Sequence, residues 1–333
     1  MGSVVDGHVG DDRRGDRRLS ASEAFEAHRR GLAGHCYRML GSVTEADDAV
    51  QETMLRAWRG RAGLADGAAA RGWLYRIATN VCLDQLRRGN RRELPVLEGP
   101  AGTPRDALST KPRHHWLEPV ADARALPPTH DVEQALVQRQ SLRLAFVAAL
   151  QRLPPRQRAV LLLKDVLGFT AAEIALTLDT PTTAVNSALQ RARRTMAVRR
   201  DADDDPSPSA LSSAQRQLVD DYVDAFHRYD IDRLVTLVRE DGTLSMPPFT
   251  LWLRGRDDIA TWLRGRGAGC RGSRLVATAA CGQAAFGQYR KHPDGFRAWS
   301  LIVHDLDARH IASMTHFLDV ETLFPRFDLP LTL

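Results

Sequence analysis

Seven prolines lie between residues 91 and 132, at positions 95, 100, 104, 112, 119, 127 and 128. Proline lacks a backbone N–H and clashes with the preceding turn, so this stretch cannot continue the helical pattern on either side of it. A second break, DADDDPSPS at 201–209, holds four Asp, two Pro and two Ser. Two linkers therefore divide the chain into three folded blocks. A length of 333 residues agrees with two or three domains. The expected organisation is a disordered, polar N-terminus at 1–20, a helical block at 21–92 and a proline-rich linker at 93–132. A second helical block at 133–200, an acidic linker at 201–210 and a third block at 211–333 complete the chain.

Within the first block, Ala46, Ala49, Val50, Met54, Ala57 and Trp58 recur at helix spacing over 45–58, with Thr44 placed to cap. A second helix is expected over 71–88, with Leu74, Ile77, Ala78 and Val81 as its apolar stripe. The proline-rich stretch reads as extended and tethered, with one apolar island, Trp116-Leu117-Glu118-Pro119, fit to dock on a neighbour. The third block opens with helices at 217–227 and 231–239. A strand at 242–248 and a helix at 257–264 come next. Strands at 274–281, 284–290, 296–304 and 310–317 come last, the final two joined by a turn at 305–309. That order reads as α+β with a curved antiparallel sheet.

The net charge of +5 is modest, but its distribution is uneven. Residues 71–92 hold six Arg and one acid, and residues 182–200 hold five Arg and none. Two basic segments about a hundred residues apart suit a polyanion touched at two places, or two solvated helix faces. No apolar run approaches the ~18 residues of a membrane helix. The N-terminus carries charges where a signal peptide needs an apolar centre, so a cytoplasmic protein is expected. The four cysteines form no CxxC pair, and neither a zinc site nor a disulfide framework is indicated.

The stretch GFTAAEIALTLDTPTTAVNSALQRARR at 168–194 is the most informative in the chain. Thr170 with Glu173 makes a capping box, and Ala172, Ile174, Ala175 and Leu178 form a core face. Asp179 and Thr180 turn the chain, and Pro181 starts a second helix. Ala184, Val185, Ala188, Leu189 and Ala192 form that helix's inner stripe. Thr183, Asn186, Ser187, Gln190, Arg191 and Arg194 lie outside. This is helix-turn-helix spacing, and the outer residues are of the types that read base edges or grip phosphates.

The segments TEADDAVQETMLRAW at 44–58 and RGWLYRIATNVCLDQLRR at 71–88 closely resemble region 2 of extracytoplasmic-function (ECF) sigma factors of the sigma-70 family. LPPRQRAVLLLK at 153–164, with the helix-turn-helix after it, resembles region 4. The resemblance implies a subunit that binds core RNA polymerase, at its clamp and flap, and directs it to the promoter −10 and −35 elements. Such a protein needs no cofactor or metal and has no catalytic chemistry. By the same resemblance, Trp73, Arg76, Asn80, Arg87 and Arg88 face the −10 strand, with Tyr75 available to stack. The loop at 60–70 would hold a flipped base. Glu45, Asp48 and Glu52 form an acidic stripe for a basic polymerase surface. Family members commonly carry Arg at the positions of Asn186 and Ala188, so a −35 word cannot be transferred by analogy.

The block at 211–333 resembles a SnoaL-like domain of the ketosteroid-isomerase type. The resemblance implies an in-chain regulator, with Trp116 and Leu117 at an interdomain contact. The fold also hosts enzymes and ligand sensors. His304, His316, Asp305 and Asp319 are the candidate acid–base residues, and a small-molecule ligand of this domain is an open expectation.

Overall fold

The computed structural model describes residues 21–60, 67–89, 91–197 and 211–333. The expected disordered N-terminus, positions 61–66 of the base-holding loop and the acidic linker lie outside the described residues.

Three helices build the first block: α1 (Ala21–Leu40), α2 (Val43–Gly60) and α3 (Gly67–Leu86). Gly41 joins α1 to α2 at φ +71, and its backbone N–H bonds back to the Tyr37 carbonyl at 2.7 Å. A Cβ there would lie 2.8 Å from Leu117 Cδ1. A left-handed turn under a packed leucine leaves room for glycine alone. α3 starts four residues earlier than its apolar pattern indicated and takes up Gly67 to Ala70 of the expected loop. Ala70 is buried.

The second block holds α5 (Val132–Gln140), α6 (Leu144–Gln151), α7 (Pro155–Leu161), α8 (Ala171–Leu178) and α9 (Thr182–Ala197), preceded by the short α4 (Asp122–Ala125). Pro154 and Pro155 start α7, where a missing N–H costs nothing. A π-helical turn over Leu162–Val166 extends α7 toward Gly168.

The third block comprises α10 (Ser213–Arg228), α11 (Ile231–Leu237), β1 (Val238–Ser245), β2 (Trp252–Arg254) and α12 (Arg256–Arg264). It continues with β3 (Arg274–Ala280), β4 (Gln283–His292), β5 (Gly295–Leu306), β6 (Ile311–Phe317) and α13 (Val320–Leu323). The six strands run in the order β2-β1-β6-β5-β4-β3. The sheet is mixed rather than antiparallel throughout, because the β3–β5 meander returns the chain beside β1 in the same direction. Leu244 pairs in parallel with Met314. The three-residue β2 has too short a pattern to stand out in the sequence.

β5 sorts its side chains to two cores, as strand alternation requires. Ile302 joins Tyr222, Phe226, Leu244, Trp262, Phe286 and Met314 inside the curved sheet. Leu301 and Val303 join a second core that also contains Leu32, Tyr37, Leu74, Leu117, Leu163 and Phe169. That second core is continuous across all three blocks and the segment between the first two.

The proline-rich stretch is accordingly docked rather than merely tethered. It buries Leu94, Trp116, Leu117, Val120, Ala121 and Ala125. On one side it lies along the third block. Lys111 N–H donates to the Pro248 carbonyl at 3.1 Å, Gly102 N–H to Trp252 at 2.9 Å, and Cys281 N–H to Val120 at 2.9 Å. On the other side Tyr37 of α1 donates its hydroxyl to the Glu118 carbonyl at 2.7 Å. Prolines deprive the stretch of its own ladder, so its backbone groups find partners on its neighbours.

Candidate nucleic-acid and polymerase interfaces

The helix-turn-helix forms as its sequence dictates. Thr170 Oγ1 accepts from the Glu173 N–H at 3.2 Å, and Glu173 Oε2 accepts from the Thr170 N–H at 2.7 Å. α8 ends at Asp179, in the left-handed region at φ 49. α9 buries Val185, Leu189 and Ala192. Thr183, Asn186, Ser187, Gln190, Arg191 and Arg194 are all exposed. Ala172 and Ala184, expected inside, are exposed, and Ala188 is half-buried. An alanine at the border of a stripe buries too little area to decide which way a helix rolls. Arg193 is held away from the outer face by Asp165, whose oxygens accept from Nε at 3.0 Å and Nη2 at 2.5 Å.

On α3, Arg76 and Asn80 are exposed one turn apart. Arg87 and Arg88 lie just past the helix end and are exposed, Arg87 paired with Asp84. The two aromatics assigned to base stacking are engaged in packing. Trp73 is half-buried, its ring 6.0 Å from that of Phe25. Tyr75 is buried, edge-on to His35 at 5.5 Å and to Phe169 at 5.7 Å, and burial raises its hydroxyl pKa to about 12. Phe169 belongs to the turn before α8, so α3 meets the helix-turn-helix directly. Arg71 strengthens that contact. Its guanidinium lies 4.6 Å from the Phe169 ring centroid and donates to the Leu167 carbonyl at 2.6 Å.

The acidic stripe of α2 is not uniformly available. Glu45 receives Arg92 Nη2 at 2.7 Å, Glu52 receives Arg56 at 2.6 Å, and Asp48 is exposed. Asp47, outside the expected stripe, faces Arg124 at 3.3 Å and Arg326 at 3.4 Å.

Of the interdomain pair, Leu117 sits beneath Gly41, and Trp116 is 3% exposed, edge-on to His115 at 4.9 Å. A residue whose contacts the sequence did not indicate stands next to them. Glu118 Oε2 accepts from Ser42 Oγ at 2.8 Å and from the Val43 N–H at 2.9 Å, at the start of α2. Its Oε1 accepts from Arg113 at 2.9 Å. A lone acid in an apolar island was the available signal.

The third block docks on the second at the Cys281-Gly282 turn. Arg139 donates to the Gly282 carbonyl at 3.1 Å, Gln283 Oε1 accepts from the Leu144 N–H at 3.1 Å, and Arg143 pairs with Asp305. The four acid–base candidates do not converge. Asp305 faces Arg143, and Asp319 faces Arg113 at 2.9 Å. His304 lies inside the curved sheet against the rings of Tyr222 and Phe286, at 4.3 and 5.4 Å. Burial, with His316 adding repulsion, lowers its pKa to about 3. His316 stands 3.5 Å from Ser300 Oγ, and burial lowers its pKa to about 4.

Residues 24–92 match the family description "Sigma-70 region 2", residues 143–196 "Sigma-70, region 4", and residues 219–314 "SnoaL-like domain". The chain is 43% identical over 323 residues to the ECF RNA polymerase sigma factor SigG of Mycobacterium tuberculosis, covering 96% of this chain and 85% of that one. The chain belongs to the ECF sigma factor family. It is also 29% identical to SigJ of the same species over 286 residues, covering 82% of this chain and 83% of that one. The crystal structure of M. tuberculosis SigJ superposes with a TM-score of 0.61 at 25% identity, over 94% of this chain and 100% of that one. As an ECF sigma factor the protein binds core RNA polymerase and promoter DNA and initiates transcription; the family is not one of enzymes. Among the described residues no helix is long and apolar enough to cross a membrane.

Proposed function

We propose that α9 of this sigma factor engages the −35 element and the exposed face of α3 the −10 strand, while α2 meets the polymerase clamp and region 4 the flap. The SnoaL-like domain acts as a regulator within the same chain, in the cytoplasm where the polymerase works. The observation that carries the regulatory part is the contact of Arg71 and Tyr75 on α3 with Leu167 and Phe169 before α8. The −10 and −35 elements lie about 25 base pairs apart, or ~85 Å at ~3.4 Å per pair. With α3 packed against the turn that leads into α8 and α9, the two reading helices cannot span that distance, so this arrangement has to open before both elements are read. The SnoaL-like domain and the proline-rich segment hold it closed, through Gln283, Asp305 and the Cys281–Val120 bond. Contacts within one chain act at high effective concentration, so a modest interface suffices.

The test is in vitro transcription with core polymerase, comparing the full chain with its Gln283→Ala/Asp305→Ala variant. Loosening the dock should raise promoter output and expose the 91–132 segment to protease. Unchanged output with a demonstrably more cleavable segment overturns the regulatory reading.

A further inference from the structure

The exposed face of α9 changes chemistry along its length. At 100° per residue, Thr183, Ser187, Gln190 and Arg194 fall within about 60° of one another, opposite buried Val185 and Ala192. Asn186 flanks them on one side and Arg191 on the other. From Thr182 to Gln190 the exposed side chains are hydroxyls, amides and one methyl, Ala184. Every guanidinium of the helix comes later, at 191, 193 and 194. Arg193 is tied down by Asp165 through two hydrogen bonds.

Recognition helices of this motif present their N-terminal residues to base edges, and flanking cations reach the phosphates. In the major groove an amide side chain matches adenine, donating to N7 and accepting from N6; a guanidinium matches guanine. Asn186 and Gln190 are exposed and four residues apart, a rise of about 6 Å, close to two base-pair steps of ~3.4 Å. Ala184 and the Thr183 methyl are of the apolar type that meets a thymine methyl. With α9 assigned to the −35 element, on which this reading rests, the geometry points to a word read through adenine. We infer that Asn186 and Gln190 each engage one adenine, about two steps apart, while Arg191 and Arg194 hold phosphates. The guanine reading that arginines in the middle of the helix would provide is absent from this face.

The experiment uses the full chain with core polymerase on a template pool randomised across the −35 segment, with transcribed templates recovered and sequenced. The recovered words should fix two adenines. Asn186→Ala should relax one and Gln190→Ala the other, each by roughly 5- to 100-fold in discrimination with the remaining positions unchanged. Gln190→Arg should move the preferred base at its position from adenine to guanine. A fixed template carrying 7-deazaadenine, which lacks the N7 acceptor, should reproduce the loss with the protein unaltered. Words that fix guanines and relax on Arg191→Ala or Arg194→Ala overturn the inference and leave α9 as the reader. Words indifferent to every α9 substitution, or transcription with no fixed −35 word, overturn the assignment of α9 itself.

Discussion

Glu118 illustrates what a single side chain does here. Its carboxylate ties the proline-rich segment to the first turn of α2, where unpaired backbone N–H groups and the positive end of the helix dipole favour an anion. It accepts from Ser42, Val43 and Arg113 while almost fully buried. Removing it leaves Ser42 and the Val43 N–H without their acceptor and Arg113 without one of its two acids. Hydrogen bonds to charged groups contribute about 1.5–3 kcal/mol each, and truncating a buried charge partner costs about 3–5 kcal/mol. Glu118→Ala should therefore lower the unfolding free energy by about 3 kcal/mol, read from the denaturant midpoint. A midpoint within about 1 kcal/mol of wild type would show that water replaces the carboxylate there.

At the scale of elements, the roles proposed for α2 and α3 can be tested separately. Arg76 and Asn80 are exposed on α3 and touch neither core. Their replacement by alanine should slow open-complex formation, followed by permanganate footprinting, while polymerase capture stays at wild-type level. Asp48 and Glu52 stand on the outer face of α2, Glu52 already neutralised by Arg56. Reversing both to Lys should weaken capture of core polymerase several-fold, because like charges would then face a basic partner. Unchanged capture would make the stripe a solvated face. The capping box of α8 is a third test. Thr170→Ala should cost about 1 kcal/mol of stability, and a larger loss would mean that the cap also supports the Phe169 contact with α3.

For the molecule as a whole, three buried imidazoles set a pH dependence. His35 in the first block and His304 and His316 in the third are held neutral, their pKa values lowered chiefly by burial to about 3, about 3 and about 4. The unfolded chain takes up a proton on each near pH 6.5 and the folded chain does not, so stability is lost as pH falls below that value. Between pH 7 and 5 the loss should be about 2 kcal/mol per ring. A thermal melt series should show it, and His304→Phe, which keeps a ring against Tyr222, should flatten the profile by about a third. The shared core makes a second claim at this scale. Trp116→Ala and the Gln283→Ala/Asp305→Ala change act on one closed arrangement, so their effects on promoter output should not add. Additive effects would mean that segment and dock work separately.

The sequence alone determined the local structure and the family. Apolar residues at helix spacing, the Thr170–Glu173 box and Pro181 specify the helix-turn-helix because each acts over one turn of chain. The outer residues of α9 are exposed because the same periodicity turns its apolar side inward. Only the tertiary structure decided how the blocks share a core. Tyr75 reads as a surface aromatic until Phe169, nearly a hundred residues away, covers it. The proline-rich segment reads as tethered with one docking island, and what it docks on is settled only when Glu118 and Val120 find backbone partners in two different blocks. The mixed sheet was hidden for the same reason, since β1 and β6 meet only across the four strands that lie between them in the chain. Periodicity records which side of an element is apolar; what that side packs against depends on contacts between residues far apart in the chain, and no local pattern encodes them.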